Sequence, residues 1–107
     1  MVFQTFSDFF NFGTGTVSSN MTSVKVDYNL LSGFDYDVII EQNGVAVDMK
    51  KFRFSNEDSG KMLEADVVFE GLRPGTKYEI VVESSYEGRK YRDVVAQVKT
   101  SLFKFFF

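Results

Sequence analysis

Acid–base and nucleophilic chemistry call for particular side chains, and this chain of 107 residues has neither histidine nor cysteine. The commonest proton carrier and the thiol nucleophile are therefore missing, and a Ser–His–Asp arrangement cannot be assembled. Two carboxylates across a cleft would serve glycoside hydrolysis. The candidates Asp27, Asp35, Asp37, Glu79 and Glu83 instead alternate with apolar residues, which reads as the polar faces of half-exposed strands. No catalytic residue is expected, and the chain is expected not to be an enzyme. A metal would have to be held by oxygen alone. Asn56-Glu57-Asp58-Ser59 offers oxygens, but without the spacing of an EF-hand loop, and reads as a solvated loop. Gly13-Thr14-Gly15 is followed by neither a lysine nor a helical pattern, so it is no phosphate loop. No metal and no cofactor are expected.

Other residues suit recognition. Segment 84–92, Ser-Ser-Tyr-Glu-Gly-Arg-Lys-Tyr-Arg, gathers Tyr86, Arg89, Lys90, Tyr91 and Arg92 around a turn at Glu87-Gly88. Tyrosine and arginine are the side chains that most often anchor interfaces. Ile39 and Val81 fall at outward positions of two alternating segments, where they would form a small apolar patch. Both groups are expected to meet a protein partner. Asn20-Met21-Thr22 matches the N-glycosylation sequon, which makes Asn20 a candidate glycan site.

The two ends are rich in phenylalanine. Nine of the thirteen Phe lie within residues 1–12 or 103–107. Burying one Phe contributes about 1.5–3 kcal/mol, so nine left in water would forfeit more than about 10 kcal/mol. They are expected to be covered, by the domain itself or by a neighbouring subunit; a third reading of the tail is the first residues of a membrane-proximal segment. Phe3, Phe6, Phe10, Phe103, Phe105 and Phe107 are the candidates for self-association.

The elements that must position these residues are strands. Val24, Val26 and Tyr28 alternate with Lys25 and Asp27. Tyr36, Val38 and Ile40 do the same over residues 35–41. Asn43-Gly44 is a hairpin signal, because both residues tolerate positive φ. The returning strand over 45–54 is expected to carry Val45, Val47, Met49, Phe52 and Phe54. Val67, Phe69 and Leu72, and later Val94, Ala96 and Val98, are expected in the core. Residues 72–78, Leu-Arg-Pro-Gly-Thr-Lys-Tyr, read as strand end, tight corner and strand start. Pro74 fixes its φ and has no N–H, while Gly75 can take positive φ. Tyr78, Ile80, Val82 and Ser84 then share one face. A tyrosine directly after such a corner marks a tyrosine corner: the ring packs inside and the hydroxyl returns to upstream backbone.

This stretch resembles the E–F corner of fibronectin type III domains. Residues 23–28 resemble the family's strand B, with Tyr28 where the family places a core tryptophan. Residues 35–41 resemble strand C, 66–72 strand E and 91–100 strand G. The ordered set spans about residues 12–101. The chain has no tryptophan and lacks the proline-rich opening of strand A, so an immunoglobulin-like sandwich of another family stays open. In the family the loop at 84–92 can carry Arg-Gly-Asp; here the order is Glu87-Gly88-Arg89, so integrin binding is not carried over.

Composition bounds the rest. Twelve basic and fifteen acidic side chains leave a net charge of −3, which argues against a nucleic-acid surface. No run of eighteen apolar residues exists, so no membrane span is expected. The start shows no basic region followed by a continuous apolar stretch, so no signal peptide is expected. The reading is an all-β, two-sheet antiparallel sandwich of seven strands, resembling fibronectin type III, over 13–101. A Phe-rich arm at 1–12 and a tail at 102–107 flank it. What the resemblance implies is a non-catalytic interaction or adhesion module, a spacer or binding domain of a larger extracellular or cell-surface protein. The alternative is a self-assembling subunit joined through its Phe-rich ends. A third reading is an accessory domain of a larger hydrolase.

Overall fold

The computed structural model describes residues 15–58, 60–86 and 88–102, and these form two antiparallel sheets without a helix. The strands are β1 (Gly15–Ser19), β2 (Val24–Leu31), β3 (Asp35–Gln42), β4 (Val45–Arg53), β5 (Met62–Phe69), β6 (Lys77–Tyr86) and β7 (Arg89–Lys99). One sheet runs β1-β2-β5 and the other β4-β3-β6-β7. The Phe-rich stretches 1–12 and 103–107, with Phe3, Phe6, Phe10, Phe103, Phe105 and Phe107, lie outside the described residues, as does Glu87 in the last hairpin.

Alternation builds the core. Val24, Val26, Tyr28 and Leu30 of β2 face Tyr36, Val38 and Ile40 of β3 and Ile80 and Val82 of β6, with Ala65, Val67 and Phe69 of β5 beside them. The β3–β4 turn follows from its two residues: Asn43 has φ 51° and Gly44 φ 78°, the pair of left-handed conformations that a two-residue hairpin requires.

Two phenol hydroxyls tie strands to loops. Tyr78 is buried, and its hydroxyl accepts the N–H of Arg73 at 3.0 Å. Gly75, in that corner, has φ 61°, and a Cβ there would meet Leu102 Cδ1 at 2.8 Å. The chain leaving β7 staples the same corner. Thr100 Oγ1 accepts the N–H of Thr76 at 3.0 Å and donates to the Arg73 carbonyl at 2.6 Å. Tyr36 donates to the Leu31 carbonyl at 2.6 Å, and its ring meets Phe34 and Phe54 edge-on. Removal from water is the main cause that drives the Tyr36 hydroxyl well above the ordinary phenol range.

Two irregularities change which side chains point inward. Between Ile80 and Val81 the β6–β7 register shifts, so Ile80 pairs with Ala96 but Val81 with Val94. Val94 therefore points out and is 44% exposed, not in the core as strict alternation predicts. The buried place opposite Val82 goes to Asp93. A second shift at Ile40/Glu41 leaves Val47 as the extra residue of β4. Val45, Val47 and Met49 are exposed, contrary to the expectation of a core-facing strand. The reasons are parity and width: Met49 pairs with outward-facing Ile39 and so points to the outer face, while the inward side of β4 lacks cover. The second sheet has three strands and no counterpart for β4, so β4 overhangs, and only Phe52 and the following Phe54 pack inward.

Candidate binding face

The outer face of the four-stranded sheet is where the sequence-derived candidates converge. Cross-strand pairing aligns Met49 with Ile39, Ile39 with Val81, and Val81 with Val94, giving one apolar row across β4, β3, β6 and β7. A charged row runs beside it: Lys51, Asp37, Glu83 and Arg92. On the other side Glu41 pairs with Glu79.

Arg92 crosses between these rows. Its guanidinium donates to both carboxylate oxygens of Glu41, at 2.9 and 2.5 Å, and lies 3.7 Å from Glu83. Arg92 starts in the row of Glu83 and Glu41 lies beyond the apolar row, so the arginine stem must lie along the sheet over it. This accounts for a correction to the sequence reading. Ile39 and Val81 do face away from the core, but they form no exposed patch: Ile39 is 6% exposed and Val81 fully buried. The row opens to solvent only at its ends, Met49 and Val94. The two hydrogen bonds from Arg92 hold the Glu41 carboxyl below its ordinary range, outweighing the opposing effect of burial. The same pair raises the Arg92 guanidinium.

The remaining candidates separate. Arg89 and Lys90 are exposed at the start of β7, beside the hairpin. Tyr91 pairs with Ser84 on the inner face and packs against the core. The side chain of Tyr86 lies outside the described part. Arg92, expected at a loop tip, lies within the strand and is anchored on the sheet. Asn20 is exposed between β1 and β2, and its side-chain oxygen accepts the N–H groups of Thr22 and Ser23 at 3.0 and 2.8 Å.

Glu41, Met49 and Val94 were not among the sequence-derived candidates, because their joint placement depends on the two register shifts. Asp93 escaped for the same reason. It sits in the interior, where its charge adds to burial in raising the Tyr28 hydroxyl. The outer face of the other sheet is different in kind. There the carboxylates of Asp27, Glu64 and Asp66 lie within 4.8 Å of one another, and Asp27 pairs directly with Asp66. Hydrogen bonding to Asp27, then its charge, raises the Glu64 carboxyl.

No protein-family model matches the chain, and no curated protein matches it. Among solved structures it is similar to the sensor domain of the anti-sigma factor RsgI4 in Pseudobacteroides cellulosolvens. The TM-score is 0.58 at 12% sequence identity, covering 88% of this chain and 94% of that one. The likeness is one of fold: a two-sheet antiparallel β-sandwich.

Proposed function

We propose that this chain is a non-catalytic protein-interaction module, a sensing or binding domain of a larger extracellular or cell-surface protein. The observation that carries this reading is the clamped Arg92 together with the exposed ends of the apolar row, Met49 and Val94. Interfaces favour an apolar centre with arginine held ready and a polar rim. Here Glu41 and Glu83 fix Arg92 in place before any partner arrives, which lowers the ordering cost of binding. Arg89 and Lys90 add cations on β7, the strand that carries Arg92 and Val94.

Three further points support the reading. The chain contains neither histidine nor cysteine, which disfavours chemistry of its own. The structurally similar domain is the sensor domain of an anti-sigma factor. The fourth strand joins the third rather than the fifth, unlike the constant-type immunoglobulin arrangement and in keeping with the fibronectin type III resemblance.

Position-specific photocrosslinking in the natural host tests this. A photoreactive side chain at Val94 or Lys90 is expected to yield one discrete protein adduct. The same group at Val68, on the opposite sheet, is expected to yield none. Adducts that ignore position, or none from either site, would overturn the assignment of this face.

A further inference from the structure

Among the described residues strand β4 ends its sheet, and eight of its nine residues are exposed. Its outer edge over Val45–Arg53 is therefore open to a further strand. Two of its side chains have no role in packing. Asp48 pairs with Ile40 and Lys50 with Val38, so both stand on the core-bearing face of the sheet, yet both are exposed where β4 overhangs. Charges placed this way repel an apolar foreign strand.

They do not repel β4 itself. An antiparallel pair of identical strands related by a twofold axis perpendicular to the sheet must set one residue opposite its own copy. Five centres fall in the part of β4 beyond the extra residue Val47 and before its last residue. Centring on Asp48 opposes two carboxylates. Centring on Lys50 or Lys51 opposes two ammonium groups, and centring on Phe52 opposes Lys51 to Arg53. Only Met49 avoids like charges. That register sets Asp48 opposite Lys50 of the second copy, twice by symmetry. Met49 meets Met49, so the apolar row of one copy continues into that of the other. In the single chain the Asp48 carboxylate accepts the N–H of Met49 at 2.8 Å, a bond that strand pairing would exchange for one across the edge.

We infer that the protein pairs with a second copy of itself through β4, in a twofold dimer centred on Met49 with reciprocal Asp48–Lys50 ion pairs and a continuous eight-stranded sheet. Charge complementarity selects both the partner and the register. This surface is the edge of the sheet rather than its outer face, so its test and the crosslinking test fail independently.

The test is sedimentation equilibrium of the full chain, from low micromolar to about 1 mM, with three variants. Asp48→Lys and Lys50→Asp each place like charges opposite one another, and each is expected to weaken dimerisation about tenfold or more. The swap Asp48→Lys with Lys50→Asp restores opposite charges and is expected to return the dissociation constant to within about threefold of the natural protein. Thermal unfolding is expected to show all three variants folded, since both positions are exposed. A natural protein monomeric throughout would overturn the inference. So would single variants that associate as well as the natural chain, or a swap as weak as the singles.

Discussion

The two outer faces of this sandwich are built from opposite materials. On the four-stranded sheet an apolar row lies under an arginine held by two glutamates, and its central residues are as dry as the core. On the three-stranded sheet Asp27, Glu64 and Asp66 crowd together in water. Both faces alternate in sequence with core residues, so alternation alone does not distinguish them. What separates them is cross-strand alignment. One places apolar groups side by side with a cation able to span them, and the other places like charges opposite each other.

The largest expected effect contrasts Val81 with Val68. Val81→Asp would put an unpaired carboxylate into a fully buried site, and should destabilise the fold by about 3–5 kcal/mol. Val68→Asp, half-exposed and opposite Lys25, should stay within about 0.5 kcal/mol of the natural chain. Urea unfolding of both variants measures the difference, and equal losses would erase the distinction between the faces.

A smaller effect follows from removing the clamp. Arg92→Ala strips the buried Glu41 carboxylate of two hydrogen bonds and uncovers Ile39 and Val81. The arginine is 45% exposed, so water screens part of the pairing. A loss of about 1–2 kcal/mol is expected, with increased binding of a hydrophobic dye.

The smallest effects have opposite signs with pH. Glu41 has a lowered carboxyl pKa in the folded state, so its contribution is complete above the ordinary carboxylate range and fades as pH falls through the folded value. Glu64 has a raised one, so its ionisation costs stability, and that cost sets in as pH rises through the carboxylate range. Glu41→Gln should therefore lower the thermal midpoint at about pH 7, and Glu64→Gln should raise it slightly. Both differences should shrink toward about pH 3. Shifts of the same sign at neutral pH would show that the two faces share one electrostatic character.

Much of the architecture was legible in local residue order. Asn43-Gly44 requires a two-residue turn, and Pro74-Gly75 followed by Tyr78 marks a corner. Val24-Lys25-Val26-Asp27-Tyr28 can bury only one side. The candidate face was legible in part: Ile39, Val81 and Arg92 were singled out, but as a bare patch and a loop cation. Their true relation runs through Glu41, which is fifty-one residues from Arg92 in the chain, and no local pattern carries it. Tyr91 reads as an interface anchor on composition, yet it points inward because its parity within β7 is set before the register shift.

The order of residues by itself determined that this chain makes strands, where it turns, and that it lacks the common groups for acid–base and thiol chemistry. These follow from steric preference, period and residue type, which act over a few neighbours. Only the folded arrangement decided that β4 overhangs, that Val94 faces water while Asp93 does not, and that an arginine seals Ile39 and Val81. Those outcomes depend on sheet width and on single-residue shifts between strands distant in the chain, where the deciding contacts are not between neighbours.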